Sequence, residues 1–138
     1  RQFLTKTPNH PAGVLGLLRT SIMQGRITEA ASLLNNFPPS KEYAAAEAIR
    51  PLLDALSNLL RSPAYSEDPL DAAYLNALWL LNRGNIPAAL DGLLEILKQD
   101  KHYRNDQVRK LILGIFEILG PNSPLTQQYR RELALVLF

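Results

Sequence analysis

The chain has 138 residues, 46% of them apolar, and its 15 basic and 13 acidic side chains leave a net charge of +2. That length supports one domain with a real core, and charge this even, despite a pI of 9.1, gives no ground for a nucleic-acid partner. Cysteine is absent, which removes disulfides, thiolate nucleophiles and cysteine-bearing metal sites and leans toward the cytoplasm; apolar runs fall far short of the roughly 20 residues of a membrane span.

Apolar spacing predicts seven helices, at about 12–24, 27–36, 41–61, 69–83, 86–100, 106–119 and 124–137. In the fourth, Leu70, Ala73, Tyr74, Ala77, Leu78 and Leu81 fall at i, i+3, i+4, i+7, i+8 and i+11. Ile86 to Leu97 and Val108 to Leu119 repeat that series, which puts the apolar groups of each helix on one stripe. No segment of any length alternates with period two, so the fold class expected is all-α. Pro51, inside the third helix, is expected to kink or split it near Ala48. The connection from Arg61 to Asp68 is the longest and the candidate hinge.

The helix ends carry their own signals. Asp68 before Pro69, with Asp71 after, reads as a capped start, and Asn85 before Ile86-Pro87 and Ser123 before Pro124 read alike. Gly25, Gly84 and Gly120 stand where a helix ends in a left-handed residue.

Two segments share a pattern, Gln24 to Leu34 and Arg83 to Leu94: Gly-x-Ile-x-x-Ala with a leucine four residues on. The positions are Gly25 and Gly84, Ile27 and Ile86, Ala30 and Ala89, Leu34 and Leu93. This resembles the inter-helix turn of a tetratricopeptide repeat. A degraded third copy ends at Gly120, with Leu125 and Tyr129 at the equivalent positions of the next helix. Gly84 and Gly120 lie 36 positions apart, close to the roughly 34-residue repeat. The 59 positions from Gly25 to Gly84 need the extra helix at 41–61. The resemblance implies a solenoid of antiparallel helix pairs: one domain over 1–138, with a first pair plus the extra long helix in 1–61 and two pairs in 69–138.

Residues 106–138 are similar to the end of the bacterial thioredoxin-fold co-chaperones with a repeat tail, the chaperedoxin family. The matching positions are Asp106, Arg109, Lys110, Leu111, Phe116, Leu119, Gly120, Pro124, Leu125, Tyr129, Arg130, Arg131, Leu133, Ala134 and Phe138. Residues 89–106 look like that family as well. The resemblance covers about the last 70 residues, and with Arg1 as first residue the chain is expected to be the C-terminal piece of a longer thioredoxin-like protein. It implies a cytoplasmic interaction module whose partners are a chaperonin and unfolded clients.

No chemistry of bond-making is legible. His10 and His102 lack metal-ligand spacing, and Glu67, Asp68 and Asp71 cluster where a helix dipole favours acids. Phosphate loops and nucleophile motifs are missing. The expectation is therefore no enzyme, no cofactor and no metal. Positions that hold a carboxylate clamp in some repeat domains are here Leu15, Arg19, Tyr74 and Leu78, three of them apolar or aromatic, which favours an apolar client or a packed intramolecular contact; Tyr74 and Leu78 are the groove candidates. Lys98, Lys101, Arg104, Arg109, Lys110, Arg130 and Arg131 form a basic last third, read mainly as a solvated face.

In the last helix Leu125, Tyr129, Leu133 and Leu137 form a stripe that should pack on the helix at 106–119. Leu135, Val136 and Phe138 fall off it. Two readings stay open for that apolar end: a groove of the same chain covers it, or it is an exposed docking patch with a basic rim. The docking candidates are Tyr129, Arg130, Arg131, Leu135 and Phe138, with Arg109 and Lys110 beside them. The alternatives, unrelated to chaperone work, are an oligomerisation domain that pairs with a second copy through the tail, a repeat scaffold, or a regulatory subunit of an enzyme. Neither nucleic acid nor a membrane is expected.

Overall fold

The computed structural model describes residues 10–62 and 66–138; the middle of the expected hinge, 63–65, and residues 1–9 lie outside them. Seven helices make up the regular structure among the described residues: α1 (Pro11–Met23), α2 (Ile27–Asn35), α3 (Tyr43–Arg61), α4 (Pro69–Asn82), α5 (Ile86–Gln99), α6 (Tyr103–Leu119) and α7 (Pro124–Leu137). They form an all-α helical-repeat solenoid, with α1 on α2 and α4 on α5 as hairpins.

The shared Gly-x-Ile pattern has a common backbone cause. At the first turn Gly25 N–H donates to Ile22 O at 3.0 Å and Arg26 N–H to Ser21 O at 2.7 Å; at the second, Gly84 donates to Leu81 O and Asn85 to Leu80 O, both at 2.9 Å. This paired 5→2 and 6→1 pattern is a Schellman closure, which needs a left-handed residue where the glycines stand. Their φ values are 75° and 83°. The following Ile27 and Ala30, like Ala89, then enter the core. The two turns also meet, because a Cβ on Gly25 would sit 3.7 Å from Asn82 O. At Gly120, with φ 90°, the N–H bonds back to Phe116 O instead, so the third copy keeps the glycine without the closure.

Capping follows the sequence at two helices and departs from it at a third. Asp68 accepts from Leu70 N–H at 2.9 Å and Asn85 from Ala88 N–H at 3.4 Å. Ser123 makes no such side-chain bond, and α7 begins on Pro124 with only the extended backbone of Ser123 before it. His10 caps α1, its Nδ1 accepting from Gly13 N–H at 3.3 Å.

Pro51 does not split the third helix. α3 runs unbroken for 19 residues around it. Proline leaves the Glu47 carbonyl without its helical donor, but Ile49, Leu52, Leu53, Leu56 and Leu59 are all buried on the same element. Tertiary burial at roughly 1.5–3 kcal/mol per large side chain exceeds the local penalty of about 3 kcal/mol. The Glu47–Arg50 pair, at 2.8 Å, spans the same turn and holds the Glu47 carboxyl below the usual carboxylate range, through the hydrogen bond first.

The main seam of the molecule joins elements far apart in sequence. α3 packs along α6, which also touches α1, α5 and α7. Gly114 is what lets α3 so close: a Cβ there would stand 3.2 Å from Ala48 O and 3.3 Å from Leu52 Cβ. Around this contact Val108, Leu111, Ile112, Ile115 and Phe116 are buried together with Leu18, Ile49, Leu52 and Leu56, so one cluster spans both halves. An ion pair, Arg19 to Glu117 at 3.7 Å, ties α1 to α6.

The last helix corrects a further expectation. Its stripe lies more against α5 than against α6, and Tyr129 explains why: its hydroxyl donates to Asp91 at 2.7 Å and reaches Pro87 O at 3.4 Å, both on α5.

Candidate docking surfaces

Two surfaces stand out, a groove at the end of α3 and the apolar end of α7. The groove holds about 190 Å³ and is lined by Ala55, Asn58, Leu59 and Ser62 of α3, Tyr74, Leu75 and Leu78 of α4, and Arg104 of α6. The Asp68 cap and Pro69 start α4 in a register that sends Tyr74 and Leu78, one turn apart, into its floor. Both are buried, at 6% and 2% exposure. Burial pushes the Tyr74 phenol up, against the opposing effects of Arg104 and a hydrogen bond with Gln107.

Arg104 completes the rim. Its guanidinium carbon lies 4.6 Å from the centre of the Tyr74 ring and 5.5 Å from that of Tyr103. Nε donates to the Tyr103 hydroxyl at 3.0 Å and Nη2 to Asp71 at 3.3 Å, while Tyr103 donates to the same Asp71 carboxylate. The backbone there is unusual: Arg104 has φ 53° and Asp106 φ 68°, a region that side chains with a Cβ enter at a cost of about 1–2 kcal/mol. His102 braces this turn through Nδ1 to Asp106 at 2.8 Å, and its N–H donates to Asp100 at 3.0 Å. α6 accordingly begins at Tyr103, three residues before the expected start, and Asp71 serves these contacts from α4. The sequence left Arg104 among the solvated basic residues, since Asp71 and Tyr74 lie 33 and 30 positions upstream and periodicity carries no trace of them.

At the tail the stripe divides into two roles. Tyr129 and Leu133 are buried, at 4% and 7% exposure, and Val136 and Leu137 are half-buried against the core. Val136 thus joins the packing although it falls off the stripe, as the first of the two readings has it. Leu135 is 81% exposed and Phe138 97%. The Leu137 carbonyl accepts from Lys101 Nζ at 3.3 Å, which ties the last turn to the α5–α6 connection. Arg130 lies exposed with its guanidinium 5.7 Å from the centre of the Phe116 ring, and Arg131, Arg109 and Lys110 are exposed. Of the docking candidates, then, Leu135, Phe138 and the four basic residues are surface, while Tyr129 supports that surface from beneath.

Among the described residues no group of three or more His, Asp or Glu side chains stands close enough to hold a metal ion. The His102–Asp106 pair lies exposed at a helix start, its geometry that of a brace. No described helix is long and apolar enough to cross a membrane.

A profile of the tetratricopeptide repeat family matches residues 53–138. The chain belongs to the tetratricopeptide repeat family. The match takes in the second half of α3 and all of α4 to α7, so both surfaces lie within the repeat region, and the α1–α2 hairpin lies before it. No curated protein and no solved structure matches the chain. Repeats of this family typically serve as non-enzymatic surfaces for binding other proteins, and this one presents a small groove and an exposed apolar helix end.

Proposed function

We propose that this repeat domain is the interaction module of a cytoplasmic, thioredoxin-like co-chaperone, holding apolar client segments at Tyr74 and Leu78 and docking on a bacterial chaperonin through Leu135, Phe138 and the basic residues Arg109, Lys110, Arg130 and Arg131. The similarity of residues 106–138 to the chaperedoxins supports the partner. One observation carries the docking surface: Leu135 and Phe138 stand in solvent at the end of a helix whose Leu125, Tyr129, Leu133, Val136 and Leu137 are packed. Burying each would be worth roughly 1.5–3 kcal/mol, and contiguous exposed apolar surface marks a contact site.

Changing Leu135→Asp together with Phe138→Asp tests the docking. Both side chains are outside the core, so thermal unfolding should stay within about 0.5 kcal/mol of the parent, while capture of the purified chaperonin is lost. Undiminished capture by the double variant rejects the assignment. Light scattering on the same pair separates the other reading: a mass that rises with concentration for the parent and not for the variant identifies a second copy as the tail's cover.

A further inference from the structure

We infer that α7 is a displaceable strap, which leaves α5 as a unit while the other helices stay folded. An amphipathic helix of a partner protein takes its place, one that carries a tyrosine with leucines four and eight residues on, the spacing of Tyr129, Leu133 and Leu137. The face it occupies lies beneath α7, apart from the exposed Leu135 and Phe138, so the site exists whether or not a chaperonin docks on that pair.

Three features loosen the hold on α7. The residues it buries are Thr126, Tyr129 and Leu133, whereas α5 buries Ala89, Leu90, Leu93, Leu94, Ile96 and Leu97. Thr126 brings a polar group with it: its hydroxyl is closed off from solvent and has no hydrogen-bond partner among the described residues. Burial of such a group works against the packed state, because water would satisfy it in the open one. The first turn of α7 also lacks a side-chain cap, since Ser123 makes no such bond, and an uncapped start leaves its backbone donors unheld. An element with few buried apolar groups and an unmet polar one falls at the low end of local stability, where opening occurs in cooperative units.

The face that α7 covers is already shaped for a helix. Thr126, Tyr129 and Leu133 follow one another at helical spacing and share one side of α7. Tyr129 meets α5 there, through Asp91 at 2.7 Å and the Pro87 carbonyl at 3.4 Å. Leu94, one turn on from Asp91, is 4% exposed, and Phe116, beneath the Arg130 guanidinium, 2%. Opening α7 bares an apolar strip with one acceptor, Asp91, at its edge. A helix with leucines at the positions of Leu133 and Leu137 fills that strip, in the manner of helix-in-groove partners, and its tyrosine donates to Asp91. The tyrosine is what sets this partner apart from any apolar helix.

Native-state hydrogen exchange on the whole 138-residue chain tests the opening. The amides of α7 should share one opening constant, at least about tenfold larger than that of Leu52 to Leu56 in α3. Amides in α7 as slow as those of α3 would overturn the inference. The probe for the site is a blocked, fluorescent peptide of residues 124–138 in which Leu135→Asp and Phe138→Asp remove the exposed pair. It enters only when α7 is out, so its apparent affinity follows the open fraction. Thr126→Val in the protein keeps the shape and removes the unmet hydroxyl, and should weaken peptide binding about tenfold. Tyr129→Phe in the protein cuts the bond to Asp91 and should strengthen it about fivefold. Neither change alters the exposed surface. Equal affinity for the parent and both variants would put the peptide elsewhere on the molecule, and no binding to any of the three would mean that the face stays closed; either result sinks the proposal. The same peptide with Leu133→Asp should not bind, and binding as tight as the first would show that the stripe is not what the site reads.

Discussion

Tyr129 shows how a single residue joins repeat packing to titration. Burial, and then the hydrogen bond it donates to Asp91, push its phenol up to about 12, whereas an unfolded tyrosine titrates near 10. The folded state therefore holds the proton more firmly. The resulting stabilisation is complete below about pH 10 and is lost as pH rises toward about 12. Denaturant midpoints taken from neutral pH to pH 12 should fall over that window more steeply for the parent than for Tyr129→Phe. Some slope should survive in the variant, since burial also raises Tyr74. Parallel profiles would show that Tyr129 is not the group responsible. At neutral pH the substitution should cost about 1 kcal/mol, the ordinary net worth of one such hydrogen bond. At this scale the sequence marked Tyr129 as a stripe residue; its acceptor on α5 lies 38 positions away and no local pattern points to it.

At the scale of the element, α3 sets propensity against burial. Pro51 sits in a continuous helix where alanine would restore the donor to the Glu47 carbonyl and remove a residue about 3 kcal/mol less favourable in a helix interior. Pro51→Ala should accordingly raise the unfolding free energy by about 2 kcal/mol in a urea titration, part of the propensity gain being offset by lost ring packing at this half-buried position. A fall in stability would mean that the ring's contacts outweigh the backbone gain. Most helices were legible as elements: periodicity located them to within one or two residues, because an amphipathic stripe and its caps are local properties. The start of α6 was not, since Tyr103 and Arg104 are held there by Asp71 of another helix. The split allowed for at Pro51 in the helix expected over 41–61 is missing for a similar reason: α3 is held whole by its packing on α6.

At the scale of the molecule, the α3–α6 seam implies that the repeat region is not self-sufficient. The family match begins at residue 53, whereas Gly114 of α6 packs on Ala48, Ile49 and Leu52. A fragment of residues 53–138 would leave that face of α6 open, with Leu111, Ile112 and Ile115 losing part of their cover. It should keep most of its far-ultraviolet helicity yet lose the dispersed amide spectrum and cooperative melt of the whole chain. A fragment that melts as sharply and at the same temperature as the parent would show the two halves to be independent.

From residues alone came the helices, their stripes, the Asp68 and Asn85 caps and the glycine turns, and these sufficed for an all-α repeat. Each depends on neighbours within one or two turns, which is the range over which backbone hydrogen bonds and side-chain periodicity act. Which stripe meets which was decided only in three dimensions: α3 against α6, Arg104 over Tyr74, α7 on α5, and Leu135 and Phe138 left in solvent. A stripe records that a face is buried without recording what buries it. That choice is made by the summed packing of all seven helices, in which contacts distant in the chain count as much as adjacent ones.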